Sequence, residues 1–388
     1  MHKQGERIMV AEVEPVGGHG GMDYYDFGLC KGLSLASVDV VLYTSDKTIP
    51  PRNPEFEVKH VYYRVFGRDS AFVRGIRYIR GTLFALIDAR RKGAMIVHFH
   101  LFNTGLLEYL NLFLSKLFGF LVVLTVHDVE SFLNFGNRQK KARFLYKRAD
   151  LIIVHNEVSR KELTGLIGEV PGVVVIPHGN YCSYYEASLT KLSARRRLGL
   201  DPIAPIFLFF GQIKKVKGLD VLINAWKRVV VGHSNAHLVI AGRPWKMKGG
   251  DIIKEIETSR VKENVSTRFE YIPPDEVPDY YAAADVVVLP YRKIYQSGVL
   301  LMAMSFRTPV LVSDIEGMAE VIDDGRNGVL FKSENEQDLA QKIVELIEDE
   351  TLRTRLSNAA YVDMQNLNDW EDIGKRTAAV FEKLVGNG

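Results

Sequence analysis

The sequence predicts an α/β protein built as two doubly wound domains, and three observations carry that reading. The chain has 388 residues, strand-like runs alternate with helix-like ones along its whole length, and glycine- or lysine-rich turns stand directly behind several strand runs. A single core seldom organises more than about 250–300 residues, so a chain this long divides. Short β-branched runs alternating with helical patterns are the signature of parallel sheets joined by crossover helices.

In order along the first half, strands are expected at 7–13, 38–44, 95–100, 121–127, 151–155 and 173–177. In the second half they are expected at 206–211, 237–241, 268–272, 286–290, 310–313 and 328–331. The stretch 101–126 is the most apolar, but Glu108 and Lys116 interrupt it, so it reads as a helix followed by a buried strand and fails as a membrane span. Residues 181–205 are polar, carry a helical turn at 192–198, and read as the linker region. In the closing segment, Trp370, Ile373, Ala378, Val380, Phe381 and Leu384 recur at roughly helical spacing. That segment is expected as a terminal helix that either finishes the second domain or packs back across. The resulting division is a first domain at 1–185, a second at 186–366 and the terminal helix at 367–388. With no periodic repeat or low-complexity tract, solenoid and fibrous architectures are excluded.

Hydrophobic residues at 47% and charged residues at 25% give the balance of a soluble globular protein. The two cysteines, Cys30 and Cys182, have no metal-like spacing, which argues against a disulfide scaffold and structural zinc. The opening residues run straight into a strand pattern with no room for a secretory leader, so a cytoplasmic location is expected. Net charge is only +3, yet residues 60–150 hold 15 Lys or Arg against 6 Asp or Glu. That surplus favours anionic partners: phospholipid headgroups, a lipid pyrophosphate or nucleic acid.

Ligands of doubly wound sheets sit beyond the carboxyl ends of the strands, and four constellations stand at such ends. The first is the loop 16–21, where Gly17, Gly18, Gly20 and Gly21 flank His19 and a helix begins near Met22. Its amides can approach a phosphate closely, although the third glycine of the dinucleotide fingerprint is missing and the loop also reads as an ordinary Gly-rich turn. The second is His98, His100 and His127, each at a strand end, where a neutral imidazole can reach a sugar. No acidic cluster accompanies the His98/His100 pair in sequence, so no metal site is expected there. The third follows the first strand of the second half, with Gly211, then Lys214, Lys215 and Lys217, then Gly218, a cradle for pyrophosphate or else a solvated basic turn. In the fourth, Gln296 can bond a sugar while Ser297 and Gly298 offer hydroxyl and amide groups to phosphate, or Ser297 is simply a helix N-cap.

Taken in order, these segments resemble the retaining glycosyltransferases of family 4. The Gly-rich opening loop, the Thr125–His127 end of a middle strand, the turn ending in Lys217-Gly218, the strand 283–290, and Pro309-Val310 leading to Gly317-Met318-Ala319-Glu320 together span most of the chain. The resemblance implies the GT-B fold, two Rossmann-like domains facing a cleft, the first binding the acceptor and the second the nucleotide-sugar donor. By position Lys217 matches the family's phosphate lysine and His127 its active-site histidine, the two residues expected to be catalytic. Gly18, Gly20, Gly211, Lys214, Gln296, Ser297, Gly298, Val299 and Glu320 are expected on the donor, and His19 and His100 on the acceptor. Two departures stand out. Gln212 occupies the place of the family's phosphate arginine, a charge that Lys214 is expected to replace, and Ile294 and Met302 occupy the places of its paired glutamates. The segment 296–299 instead resembles a Gln-Ser-Gly-Val variant in which the helix start still holds phosphate.

The activity so implied is transfer of a hexose from a nucleotide-diphosphate sugar to a glycan or lipid-linked acceptor with retention of configuration, in polysaccharide or glycoconjugate synthesis. The leaving phosphate helps deprotonate the acceptor, so no enzyme nucleophile, cofactor or metal is expected, and stabilising the departing charge is the protein's task. A nucleotide-sugar epimerase of the same architecture remains open, although it would show an acidic pair that the sequence does not make obvious. A non-catalytic sugar-nucleotide or nucleic-acid binder also remains open. Nucleic acid is disfavoured because the basic residues interleave with an apolar helical pattern instead of an aromatic platform. Finally, Arg74, Arg77 and Arg80 recur every three residues beside apolar positions, the pattern of a helix lying on an anionic membrane surface, and residues 138–148 extend it. An ordinary crossover helix with water-facing arginines fits the same pattern.

Overall fold

A computed structural model describes residues 7–18, 21–102, 105–127, 142–168, 172–184, 189–245, 256–257 and 261–386. The chain forms two compact units, Met1–Gly179 with Asn368–Gly388, and Asn180–Leu367.

The first unit runs β1 (Met9–Glu14), α1 (Met22–Leu35), β2 (Asp39–Ser45), β3 (Glu57–Tyr62), α2 (Ala71–Arg91), β4 (Ile96–Leu101), α3 (Leu106–Leu117), β5 (Leu121–Val126), β6 (Leu151–Val154), α4 (Glu157–Ile167) and β7 (Val173–Val175). All seven strands are parallel, in the order β3-β2-β1-β4-β5-β6-β7. Helices begin where side chains satisfy otherwise orphaned amides: Ser70 accepts from the Val73 amide at α2, and Asn156 from the Ser159 amide at α4. β3 is absent from the sequence expectation. Lys59 and His60 break its apolar pattern, and its edge position tolerates them because Lys59 is paired with Asp88 at 2.6 Å. The terminal helix, Trp370–Gly386, packs on α1. A Cβ on Gly374 would lie 2.1 Å from the Gly32 carbonyl carbon, so the two helices touch backbone to backbone and tolerate no side chain there.

The second unit opens with α5 (Lys191–Leu198), capped by Thr190, and continues through β8 (Ile206–Phe210), α6 (Leu219–Gly232), β9 (His237–Ala241), β10 (Val265–Arg268), α7 (Val277–Ala283), β11 (Val286–Leu289), α8 (Gly298–Ser305), β12 (Val310–Ser313), α9 (Glu316–Ala319), β13 (Val329–Phe331), α10 (Glu336–Glu348) and α11 (Glu350–Leu367). Its six strands are parallel, in the order β10-β9-β8-β11-β12-β13. Val286, Val287, Val288 and Leu289 are all fully buried, as a central parallel strand covered on both faces requires. Two expectations need correcting. The segment read as a linker is built into this unit: Arg195 of α5 is buried, donates to the carbonyls of Ala283 and Pro202, and pairs with Asp285 at 2.6 Å. The strand expected at 268–272 ends at Arg268, whose guanidinium bonds Glu270 and Glu276 beyond the sheet.

Candidate functional site

Each sheet reverses its strand order once, between β1 and β4 in the first unit and between β8 and β11 in the second. Ligand sites of open parallel sheets form at such reversals, beyond the carboxyl ends of the strands.

In the second unit the loops after β8 and β11 meet at that point. Gly211 follows β8 with φ +96°, and its α-carbon faces Val299, whose Cγ2 would lie 3.1 Å from an added Cβ. The lysine turn forms a single 3-10 turn, Lys215–Lys217, and Gly218 then starts α6 with φ +65°. A Cβ there would lie 1.8 Å from the Pro290 carbonyl oxygen, so only glycine lets the two loops touch. Lys217 is half-buried with its ammonium over the Tyr291 ring, and Lys214 is half-buried beside it in the chain. Arg292 ties the same loops from outside, bonding both Asp220 oxygens at 2.7 and 2.8 Å and Glu334 at 2.7 Å. Ser297 is buried and its hydroxyl accepts from the Leu300 amide, so it is the N-cap of α8, followed by half-buried Gly298 and Val299 with Gln296 just before it. These residues present one helix start and two lysines, the equipment for an anion. Gln212 is exposed, Ile294 and Met302 are half-buried, and Glu320 stands exposed just after α9.

In the first unit the carboxyl ends of β1, β4, β5, β6 and β7 carry a buried polar cluster. Glu12 and His98 are register partners across the reversal, and the His98 Nδ1 lies 2.9 Å from the Glu12 Oε1, while its Nε2 reaches Thr125 at 2.7 Å. His100 bonds His127 at 3.1 Å, and His127 bonds His155 at 3.2 Å. Tyr25 sets its ring edgewise to His100, His127, His155 and His178. Burial would push the Glu12 carboxyl up, but the charge and hydrogen bonds of His98 and His100 outweigh it and bring it to about 2. At Glu14 burial, joined by the charges of Asp23 and Glu12, outweighs His100 and the Val16 amide and raises the carboxyl to about 7, and Asp26 is raised well above the carboxylate range by burial and by the charges of Glu14, Asp23 and Glu12. Burial also lowers His127 well below its ordinary value, His155 to about 3 and His178 to about 4.

Beside this cluster opens a cavity of about 390 Å³, whose polar lining includes Glu14, Arg74, Tyr78, His100, Glu108 and Asn111. Glu14 Oε2 and Arg74 Nε are buried there without a hydrogen-bond partner among the described residues. The volume suits one or two sugar rings, and the lining mixes acceptors, donors and aromatic carbon.

The sequence therefore located His98, His100, His127 and the two loops of the second unit. It missed Glu12, Glu14, Asp26, His155 and His178. The expectation that no carboxylate accompanies the His98/His100 pair is corrected: donor atoms of Glu12, His98 and His100 all lie within 4.8 Å, a spacing a metal ion could bridge. Carboxyls that the sequence did not make obvious are also gathered here, since the charges of Glu12 and Glu14 act on Asp26. Signals for these residues were present, in glutamates alternating through an apolar strand and in histidines placed behind β6 and β7 as His127 is behind β5. Gly18, with φ +75°, donates its amide to the Asp23 carboxylate at 2.7 Å, so that amide already has a partner, whereas His19 and Gly20 lie outside the described residues. The arginine row on α2 is corrected too. Arg74 and Arg77 are half-buried, with Arg77 on Asp69 at 2.5 Å, and Arg80 alone of the three is exposed. The large apolar residues Phe72, Val73, Ile76, Phe84 and Ile87 of α2 also face water.

Comparison with known proteins agrees with this architecture. Residues 19–180 match the family model described as Glycosyltransferase Family 4, and residues 191–363 match Glycosyl transferases group 1. A D-inositol 3-phosphate glycosyltransferase of Streptomyces bingchenggensis is 25% identical over 95% of this chain and 86% of its own length. An uncharacterized glycosyltransferase of Methanocaldococcus jannaschii is 30% identical over 50% of this chain and 48% of its own. Among solved structures, sucrose-phosphate synthase of Thermosynechococcus elongatus superposes with a TM-score of 0.80 at 19% identity, over 98% of this chain and all of that one. Anabaena HepE, solved in complex with UDP-glucose, gives 0.77 at 18%, over 97% and all. With two parallel sheets whose reversals carry these loops, and with both halves of the chain matched, the protein belongs to glycosyltransferase family 4 and is a glycosyltransferase of the GT-B fold.

Proposed function

We propose that the protein transfers a hexose from a nucleotide-diphosphate sugar to a hydroxyl of a glycan or lipid-linked acceptor with retention of configuration. The observation that carries this reading is the meeting of the β8 and β11 loops at the strand reversal of the second unit, which gathers Gly211, Lys214, Lys217 and the amide end of α8 where a diphosphate would sit. Lys217 and Lys214 neutralise charge on the departing diphosphate, and the capped start of α8 adds oriented dipoles at no reorganisation cost. The donor is proposed because HepE was solved with UDP-glucose on the same fold. The acceptor is proposed to enter the 390 Å³ cavity of the first unit, where Glu14 and Glu108 accept from hydroxyls and Arg74 donates. A thermal-shift screen of nucleoside-diphosphate sugars, followed by NMR of the anomeric product, tests the reading. Stabilisation by no nucleotide sugar, or an inverted product, defeats it.

We further propose that the first unit meets its acceptor at an anionic membrane surface. Among the described residues no helix is long and apolar enough to cross a membrane. Instead Phe72 of α2 is 78% exposed, and Leu106 and Phe113 of α3 are 84% and 64% exposed, with Arg64, Arg68, Arg80, Arg90 and Arg91 also exposed. Aromatic side chains beside arginines match a lipid headgroup layer, in which each basic residue contributes about 1 kcal/mol.

A further inference from the structure

We propose that His100, His127 and His155 form one directional hydrogen-bond chain in which each ring carries its proton on Nδ1. This makes His100 and His155 positioning residues for His127, and leaves His127 able to accept, but not to donate, a hydrogen bond at Nε2. The glycosyltransferase reading enters only in what Nε2 would meet.

The direction is set at one end by a group that can only accept. The His155 Nδ1 lies 3.0 Å from the Ile176 carbonyl oxygen, so Nδ1 carries the proton and donates. A neutral ring then has a bare Nε2, and burial keeps His155 neutral, with its value at about 3. That bare nitrogen lies 3.2 Å from the His127 Nδ1, which must therefore be the donor, because two lone pairs cannot face each other at that distance. His127 is also neutral, held well below its ordinary value by burial, so its own Nε2 is bare and receives the Nδ1 proton of His100 at 3.1 Å. Three successive bonds thus inherit one polarity from a single main-chain carbonyl. Phe102, stacked on His127 at 4.7 Å and 9°, and Tyr25, edge-on at 4.9 Å, keep the ring from flipping out of register.

The far end of the chain lies against buried carboxyls. His100 presents its Nε2 to Glu12 Oε2 at 3.4 Å and to Asp26 Oδ1 at 3.8 Å, with all three side chains at most 2% exposed. Neither carboxyl oxygen has a hydrogen-bond partner among the described residues. The chemical consequence falls on His127. A substrate hydroxyl reaching its Nε2 has to donate, displacing the His100 N–H, so the site selects a hydroxyl and rejects a group that can only accept at that position.

The test reads tautomers directly. Long-range ¹H–¹⁵N correlation spectra of the unliganded protein labelled with ¹⁵N-histidine, assigned through single variants at the three positions, should show the Nδ1–H form, the minority tautomer of free histidine, at His127 and His155, and a proton on Nδ1 of His100. An Nε2–H signal for His127 overturns the proposal. Two further variants separate positioning from packing. His155→Gln keeps an oxygen acceptor near the place of Nε2, so His127 should stay Nδ1–H, whereas His155→Leu removes it and should move His127 to Nε2–H. Identical spectra for His127 in the two variants would show that His155 does not set the tautomer. Because no substrate is present, a correct chain in a protein that transfers no sugar would count against the transferase reading alone.

Discussion

Lys217 holds its ammonium nitrogen 3.6 Å from the centre of the Tyr291 ring, which joins the turn after β8 to the loop after β11. Tyr291 is fully buried, so the contact is shielded on one side, where such pairs are worth up to about 2 kcal/mol. The ring thereby aims a lysine that sequence alone could place only in a turn. Lys217→Ala and Lys214→Ala are each expected to lower donor-dependent turnover, the more important by at least ~10²-fold, or about 2.7 kcal/mol. Wild-type turnover in both variants would remove the phosphate assignment, and Tyr291→Leu should give a smaller loss by letting Lys217 wander.

His127→Ala should abolish transfer while nucleoside-diphosphate affinity, measured by calorimetry, stays near wild type, since the nucleotide is assigned to the other unit. A parallel fall in affinity would mark His127 as structural. Chelator treatment tests the Glu12, His98 and His100 cluster in the same assay, and unchanged turnover is expected.

Arg195 and Asp285 form a buried pair at 2.6 Å, with side chains 3% and 11% exposed. Burial pulls the Asp285 carboxyl up, but Lys191, the Ile206 amide and Arg195 outweigh it and hold it below the usual value of 3.8. A carboxyl depressed in the folded state stabilises above its unfolded value, and that stability is lost as pH falls through the folded one. Denaturant unfolding should therefore show a wild-type loss below pH ~4 that is reduced in Asp285→Asn. At neutral pH Arg195→Leu should cost about 1.5–3 kcal/mol, because Lys191 and the Ile206 amide still hold the carboxylate while the charged hydrogen bond of Arg195 and its bonds to Ala283 and Pro202 are lost. A cost below about 1 kcal/mol would mean the pair contributes little.

Gly218→Ala combines a positive φ with an atom 1.8 Å from the Pro290 oxygen. Thermal unfolding should register a loss of more than about 1 kcal/mol together with lower turnover, because the two donor loops must separate. An unchanged midpoint with full turnover would show that the loops can part freely.

Liposome flotation addresses the membrane proposal. Binding to anionic but not neutral vesicles is expected, weakened by salt, by Arg68 and Arg80 replaced with Glu, and by Phe72→Ser. Protein left in the soluble fraction at low salt would end it.

The sequence by itself determined the two doubly wound sheets, because strand and helix periodicities are local and the central strands are apolar throughout, as Val286–Leu289 shows. It also located His127 and Lys217, since strand ends and turns can be read without knowing what lies beside them. Register decided the rest. Glu12 and His98 are 86 positions apart and become neighbours only because β1 pairs with β4, and the carbonyl that sets the polarity of the histidine chain belongs to Ile176, just beyond β7. Which face of α2 meets water was likewise settled by packing: Gly81, Ala85, Leu86 and Ala89 are buried, whereas Phe72, Ile76, Phe84 and Ile87 are left outside, against their own hydrophobicity. Local pattern is written in neighbours along the chain, whereas a buried charge or an exposed phenylalanine depends on neighbours in space.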